Sequence, residues 1–586
     1  MEKEKIQFDM SADKLLDIAD EKLDEGDFLG ALRMLHKSVE MYGPAADEYA
    51  SLAEAYEEME LYQLSADCWF KFLDVCAEED EADGYEGLAA CYYNLGNEEV
   101  SEYYYDLTGQ DKYITHLRNL EIGELLRKAK EDRPRLKVVW PPDKADYYET
   151  IEEGLRSLRM GDFEGAEKIL QDVPEGADGH ASAMNFLAVG HILSGQTEKA
   201  EKICKELLEK DPDSVQLLAT YAALLTEENR FEEGRAVAEK LAKTETEIPD
   251  ELFKIATLCC EYKLYDEGYK KFCHLETIVQ YDLSLLFFKA VAAFKSGRVK
   301  ESLKTLGKLL DIKPTAAVAR HYYREIQAYS ENGGEEPEIG FIYRVPQKER
   351  EDRLKALYFL AKMPLSTAKE VGEEADIIEL LEWCFDEGDG QEEKLQELGI
   401  TAAFRCDQPD FILDQLLSTA VSDSVKTVAV RMLCEKNREF DCSVVISDRF
   451  KKLSFERLEV GKTKRAVFVK AYALCLARIA TVSIMPDIES DWKVYKLAAQ
   501  RVYGELERKG KLAEIKDVRT LATVIAVMAN PKGNIGNSLL GTALYLKADE
   551  HAAWRLLTAV LARSEPQAEA AAADAEKEGE KKDEAD

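Results

Sequence analysis

This chain of 586 residues contains residue types that can act in catalysis, but they do not form a known catalytic motif. Gly461, Lys462 and Thr463 spell the end of a phosphate-binding loop, but that motif needs a glycine where the chain has Glu456. This carboxylate would repel a phosphate, and we expect no strand before the loop. The seven histidines are dispersed, and neither an HExxH pair nor a GxSxG elbow occurs. We therefore predict no enzyme activity and no cofactor.

The twelve cysteines are too few for a disulfide scaffold in a chain of this length. Most of them fall on apolar faces of predicted helices, where a reduced cysteine behaves as a small hydrophobic residue. No CxxC pair occurs, and the adjacent Cys259 and Cys260 would point to different faces of a helix. We predict reduced, buried cysteines and no metal site.

A local basic patch stands out near residue 460. Its members fall within two expected helices and the connection between them: Arg449, Lys451, Lys452, Lys462, Lys464 and Arg465. One interpretation is a surface that contacts phosphate or nucleic acid; the other is a solvated face that offsets nearby acidic residues or docks another part of the chain. Few aromatic residues are interleaved with these cations, and no DNA-reading helix is recognisable, which favours the second interpretation.

The overall charge limits the classes of partner. The net charge is −38 with a pI near 4.8, so the chain as a whole is repelled by nucleic acid and by anionic membranes, and basic partners are favoured. No apolar run reaches the roughly 18 to 20 residues that cross a bilayer. The start, Met1 to Met10, lacks the apolar stretch of a secretory signal. We expect a cytoplasmic protein without membrane contact.

The elements that would position any site are set by a repeat of 34 residues. A turn-tolerant residue recurs at that spacing, a small residue stands seven positions before each, and another stands five positions after it. The turn positions are Gly161, Gly195, Asn229, Lys263 and Gly297. Small residues at two fixed places allow two helix backbones to pack closely, so the spacing predicts consecutive helical hairpins. Gly26, Phe28 and Ala31 begin a looser version of the same pattern.

This pattern resembles the tetratricopeptide repeat (TPR), and Pro212 and Pro314 stand near where that family ends its second helix. The resemblance implies an all-α, elongated, right-handed solenoid that binds proteins. We predict about three repeats over residues 1–110, a linker over 111–146, and about five repeats plus a capping helix over 147–345. A HEAT-like helical region over 346–562 and a disordered acidic tail over 563–586 would follow.

TPR geometry places the first helix of each repeat along the concave groove. Transferred to the first two repeats, it lines the groove with acidic residues, namely Asp13, Asp17, Asp20, Asp24, Asp47, Glu54, Glu57 and Glu58. We expect this groove to prefer a basic segment of a partner protein. The alternative is that an acidic protein simply has acidic residues everywhere.

In the later repeats the same positions are apolar: Val189, Phe253, Phe287, Phe288, Val291 and Phe294. Such a groove would accept an amphipathic helix, either from a partner or from this chain, with Lys348 to Leu360 as the internal candidate.

Residues 409–433 resemble a HEAT-repeat hairpin, whose second helix begins here with Asp423, Val425 and Lys426. Residues 376–404 and 441–479 are its possible divergent neighbours. Taken together, these patterns predict a non-catalytic scaffold or adaptor that binds proteins or peptides. The alternative is a regulatory protein whose C-terminal helices contact nucleic acid through the basic patch.

Overall fold

The computed structural model describes residues 10–108, 147–177, 179–373, 376–386, 392–480, 492–529 and 535–562. It divides into two compact units, one of residues 1–359 with 375–392 and one of residues 360–374 with 393–586. The predicted linker over 111–146 and the predicted tail over 563–586 lie outside the described residues. In the described part of the chain, no helix is both long enough and apolar enough to cross a membrane.

The first unit consists of helical hairpins, as the repeat predicts. Its helices are α1 (Ala12–Asp24), α2 (Phe28–Tyr42), α3 (Ala46–Glu58), α4 (Tyr62–Val75), α5 (Glu81–Asn94), α6 (Glu98–Leu107), α7 (Tyr148–Arg159), α8 (Phe163–Gln171), α9 (His180–Leu193), α10 (Thr197–Lys210), α11 (Val215–Glu227), α12 (Phe231–Ala242), α13 (Pro249–Glu261), α14 (Tyr265–Glu276), α15 (Leu283–Lys295), α16 (Val299–Ile312), α17 (Ala317–Asn332) and α20 (Asp376–Asp386). Helix α18 (Gln347–Lys362) begins in this unit.

The predicted turn residues have the backbone conformation that ends a helix. All five turn positions from Gly161 to Gly297 have positive φ, including the non-glycine residues Asn229 at 58° and Lys263 at 61°. The amide of Arg230 donates to the carbonyl of Leu225 at 2.8 Å, the six-residue hydrogen bond that closes a helix C-terminus. The 34-residue spacing is therefore the distance between successive left-handed turns.

The small residues allow the paired helices to approach, as predicted. A Cβ atom at Gly234 would lie 2.0 Å from the hydroxyl of Tyr262, which donates to the carbonyl of Ala222 at 2.8 Å. Ser302 occupies the equivalent position two repeats later, and its Oγ donates to the carbonyl of Ala290 at 2.8 Å. A larger side chain at Gly234 would displace Tyr262 of the next repeat, and one at Ser302 would separate the two helices of its hairpin.

The first repeats, α1 to α6, contact the end of the second array, α7 to α16. Helix α2 packs against α16. The hydroxyl of Tyr56 donates to the carbonyl of Ile312 at 2.6 Å and lies 3.0 Å from Nε2 of His36. Arg33 and Asp311 form an ion pair at 3.2 Å across the same junction. The first array therefore contacts the last hairpin of the second array, although the first hairpin of that array is nearer in sequence.

Helix α17 is held in place by a buried carboxylate from α20. The side chain of Asp386 is only 3% exposed and accepts from the Lys313 ammonium at 2.9 Å, the Tyr343 hydroxyl at 2.9 Å and the Val318 amide at 3.0 Å. Val318 lies in the first turn of α17, so Asp386 caps that helix from a distant part of the sequence. One side chain thereby joins α16, α17, α20 and the segment that contains Tyr343.

In the part of the second unit that the structure describes, the regular elements are helices and one β-hairpin. Its elements are α19 (Leu365–Gly372), α21 (Glu392–Arg405), α22 (Pro409–Leu417), α23 (Asp423–Glu435), β1 (Phe440–Ile446), β2 (Arg449–Phe455), α24 (Arg465–Cys475), α25 (Trp492–Arg508), α26 (Val518–Ala529), α27 (Ile535–Leu546) and α28 (Glu550–Leu561), and the chain forms a π-helical turn over Leu476–Ala480. The hairpin of residues 409–433 is present as α22 and α23.

The β-hairpin differs from the expected helical repeat over residues 441–479. The strands β1 and β2 pair antiparallel, with Ile446 opposite Arg449. The two residues between them, Ser447 and Asp448, both have positive φ, as a tight two-residue hairpin turn requires. The carboxylate of Asp423 accepts from the Ser447 amide at 3.0 Å and fixes this turn against the start of α23. The expectation of a divergent helical repeat is therefore wrong for residues 440–455, because their β-branched and aromatic residues favour strands.

Candidate functional site

An acidic face runs along α1 and α3. The members on α1 are spaced four, three and four residues apart, which places them on one side of the helix. Those on α3 are spaced seven and four residues apart and lie on the equivalent side. All of them are exposed, and we define the acidic face as Asp13, Asp17, Asp20, Asp24, Asp47, Glu54 and Glu58. The structure therefore brings together seven of the eight acidic residues predicted for the first groove.

Asp20 lies at the centre of this face. Its Oδ1 accepts from Ser51 Oγ on α3 at 3.3 Å, which joins the two helices. Burial raises the pKa of Asp20, and the charges of Asp17, Asp24 and Asp47 raise it further, although the Ser51 hydrogen bond acts in the opposite direction. Four carboxylates are thus close enough to repel one another, so a cation placed among them would relieve this repulsion.

Glu57, the eighth predicted residue, has a packing role. Its Oε1 accepts from Trp69 Nε1 at 2.8 Å and from Ser65 Oγ at 3.3 Å, both on α4. Glu57 is half-buried, unlike Glu54 and Glu58 on the same helix. The sequence carries a signal for this, because the equivalent positions in other repeats hold the apolar residues Leu23 and Phe294.

The apolar floor, which we define as Val189, Phe253, Phe287, Phe288, Val291 and Phe294, is largely covered by the chain itself. Phe287, Val291 and Phe294 are buried, whereas the other three are partly buried. The ring of Phe287 lies 4.9 Å from Tyr343 and that of Phe288 lies 6.2 Å from Phe341, centroid to centroid. Little of this floor remains for an external helix unless these residues move.

The covering segment is a non-helical strap, residues 336–345. Ile339 and Val345 are 3% and 2% exposed, whereas Ile342 is 67% exposed. The hydroxyl of Tyr322 on α17 donates to the carbonyl of Arg344 at 2.7 Å, and Lys295 pairs with Glu336 at 3.7 Å. The internal occupant predicted for this floor was the helix from Lys348 to Leu360; the residue against Phe288 is instead Phe341 of the strap. The alternation of apolar residues from 339 to 345 was the missed sequence signal.

The basic patch is spread over different elements. Arg449, Lys451 and Lys452 lie on β2, not on a helix, while Lys462 and Lys464 lie in the following loop. Arg465 is the first residue of α24. The Lys464 ammonium donates to the carbonyl of Ile515 at 3.1 Å, so this member takes part in packing.

A strand does precede the GKT sequence, contrary to expectation, but the surroundings do not match a phosphate-binding loop. Strand β2 belongs to an antiparallel hairpin, and Glu456 pairs with Lys496 at 2.6 Å. A Cβ atom at Gly461 would lie 2.4 Å from the Tyr503 hydroxyl, so this glycine serves packing. Within the described ranges, no group of three or more His, Cys, Asp or Glu side chains could hold a metal ion.

The cysteines are free and mostly buried, as predicted. Burial raises the pKa of Cys68 and that of Cys259 to about 12. A thiol with such a pKa is protonated at neutral pH and is a poor nucleophile. These cysteines therefore act as small core residues.

Comparison with known proteins gives a family for the repeats. The family model described as tetratricopeptide repeat matches residues 191–250, which run from the end of α9 to the start of α13. Residues 191–250 are therefore tetratricopeptide repeats, the repeat type that the 34-residue spacing indicates. No curated protein matches it.

Among solved structures, the TPR protein aligns with yeast Tom70 at 12% identity, over 86% of this chain and 99% of that chain, with a TM-score of 0.28. It also aligns with a tetratricopeptide repeat protein from Parabacteroides merdae at 14% identity, over 48% of this chain and 98% of that chain, with a TM-score of 0.22.

Proposed function

We propose that this TPR protein is a non-catalytic protein-interaction scaffold whose acidic face binds a basic segment of a partner protein. The observation that carries the proposal is the exposed double row of carboxylates on α1 and α3, centred on Asp20. TPR domains are built for binding rather than catalysis, since each hairpin adds a strip to a continuous surface. The partner is therefore defined by its chemistry, as a segment rich in lysine or arginine.

The contrast with the apolar floor supports this choice of site. An amphipathic helix that bound Phe287 and Phe288 would first have to displace Phe341 and Tyr343 of the strap. In the acidic face, by contrast, binding a cation would replace repulsion between carboxylates with attraction.

Titration of the full chain with a lysine-rich peptide, and with a neutral peptide of equal length, tests the proposal. We expect the basic peptide to bind more tightly, and its affinity to fall as salt rises. The double variant Asp17→Asn with Asp20→Asn should weaken this binding about threefold to tenfold, because two charges at the centre of the face are lost.

The matched control is Asp74→Asn with Asp106→Asn, which removes two exposed charges from α4 and α6 and changes the net charge equally. It should leave the affinity within about twofold, because screening makes distant charges weak. Equal affinity for the basic and neutral peptides, or equal losses in the two double variants, would contradict the proposal.

Nucleic-acid contact through the basic patch ranks second as a function. Lys452, Lys462 and Arg465 are exposed, but the patch is divided between a strand, a loop and a helix start. Salt-dependent retention on nucleic acid that charge reversal at Lys451 and Lys452 abolishes would favour it over the scaffold function.

A further inference from the structure

A cavity of about 300 Å³ in the second unit is lined by an unusual number of cationic side chains. Five of the ten residues around it are basic, namely Arg431, Lys470, Arg478, Arg519 and Lys547. This concentration runs against the composition of the chain, in which acidic residues outnumber basic ones by 115 to 77. The cavity thus creates a local environment for anions in a protein that otherwise repels them.

These five cationic residues come from five different elements of the second unit. Arg431 comes from α23, and Arg519 from the first turn of α26. Lys470 on α24 and Arg478 in the π-helical turn are eight residues apart, about two helical turns, which places them on one side. Lys547 follows α27 with a φ of 55°, the left-handed conformation that ends the helix. The helices and turns therefore fix the backbone position of each cationic residue around the cavity.

The two carboxylates at the cavity offset only part of this positive charge, since five cations face two carboxylates, one of which, Glu435, pairs with Arg431. Asp517 accepts from the amide of Thr520 at 2.7 Å and from its hydroxyl at 2.9 Å, and so caps α26. Glu435 lies 3.8 Å from Nε of Arg431, too far for a hydrogen bond. That Nε atom is buried, and among the described residues it has no hydrogen-bond partner. A buried donor without a partner is costly, so an anion that accepted from it would be stabilised.

We propose that this cavity binds a small phosphorylated ligand through Arg431, Lys470, Arg478, Arg519 and Lys547. Arginine and lysine are the side chains that bind phosphate oxygens most strongly, and several cations together suit a ligand with two or more phosphates. The volume is at the lower end of small-molecule sites, and Leu474 and Leu546 offer apolar contact to the remainder of the ligand.

Calorimetric titration of the full chain with tripolyphosphate and with ATP tests this inference. We expect both to bind, with affinity that falls as salt rises. The double variant Lys470→Gln with Lys547→Gln should weaken tripolyphosphate binding at least about tenfold, because two charge-assisted contacts are lost. Both residues are exposed, so we expect the variant to fold, which circular dichroism would verify.

Two further variants make the result decisive. Lys462→Gln with Lys493→Gln removes two exposed lysines of the same unit outside the cavity and should change the affinity by less than about twofold. Glu435→Gln removes a competing carboxylate and should tighten binding. The inference is wrong if the full chain binds neither probe, if both lysine pairs weaken binding equally, or if a single-stranded RNA binds and tripolyphosphate does not compete with it.

Discussion

The two TPR arrays use the same scaffold for opposite surfaces. Asp20 in α1 and Val291 in α15 occupy the same position of the repeat, since each is the ninth residue of its helix. Asp17 and Phe288, three residues earlier, are equivalent in the same way. In the first array these residues are exposed, whereas in the second Val291 is fully buried and Phe288 lies against the strap. Turn residues and small residues determine the helical hairpins in both arrays. The side chains at the groove positions then determine whether the surface of the array is exposed to solvent or covered by another part of the chain.

Exchanging the side chains at the shared repeat position, 20 and 291, should give the largest effect on stability and tests whether the two arrays differ in burial there. Val291→Asp would place a carboxylate at a site that is 0% exposed, and we expect it to lower the free energy of unfolding by at least about 4 kcal/mol. The reciprocal change, Asp20→Val, should stay within about 0.5 kcal/mol, because that site is open to water. Urea unfolding of each full-length variant, followed by circular dichroism, measures both effects.

Similar losses in the free energy of unfolding for Val291→Asp and Asp20→Val would mean that the two arrays do not differ in burial at this position. Val291→Ala separates charge from size, because it shortens the side chain without adding a carboxylate. It should cost less than Val291→Asp, since only packing is lost.

The junction between the arrays supplies a second test, through His36. Burial lowers the pKa of His36 to about 4, with Lys71 acting in the same direction and the Ile312 carbonyl acting against them. Since the folded pKa lies below the ordinary value of 6.5, the unfolded chain binds the proton first as pH falls. The stabilisation is complete above pH 6.5 and is lost toward pH 4. We expect this histidine alone to lower the free energy of unfolding by about 2 kcal/mol between pH 7 and pH 5.

Comparison of the wild type with His36→Gln isolates this effect, because glutamine can still donate to Tyr56 but does not titrate in this range. The loss of stability between pH 7 and pH 5 should be smaller in the variant by the stated amount. His274→Gln is the control, since His274 pairs with Glu247 at the surface, where that carboxylate is 81% exposed. If His36→Gln and the wild type respond equally to pH, the contact of His36 with Tyr56 and Ile312 does not hold the arrays together.

The hairpins could be predicted from the sequence because their determinants are local. A left-handed residue such as Asn229 and a small residue such as Gly234 act within one hairpin, so their 34-residue spacing survives in the sequence. The acidic face was predictable for the same reason, because the spacing of its residues on α1 specifies one side of that helix.

The parts that could not be predicted depend on contacts between distant residues. Nothing local to Asp386 indicates that it caps α17, which lies nearly seventy residues earlier in the sequence. The sequence alone predicts Glu57 to be a groove carboxylate, and only the structure shows that it accepts a hydrogen bond from Trp69. The β-hairpin was missed because its turn, Ser447 and Asp448, lacks the glycine that usually marks such a turn.

A substitution in the strap should give the smallest of the three losses in free energy of unfolding, and the neighbouring residue provides a closely matched control. Phe341→Ala removes a half-buried ring that stacks on Tyr265 at 6.3 Å between centroids and contacts Phe288, so we expect a loss of about 1 to 2 kcal/mol, less than for a fully buried phenylalanine. Ile342→Ala, one residue away, changes a side chain that is 67% exposed and should cost less than about 0.5 kcal/mol. Phe341→Ala should also increase binding of a hydrophobic dye, because the apolar floor becomes accessible, whereas Ile342→Ala should not. If both variants bind the dye as the wild type does, while the free energy of unfolding falls equally in each, the strap does not cover the floor, and the second array is as open as the first.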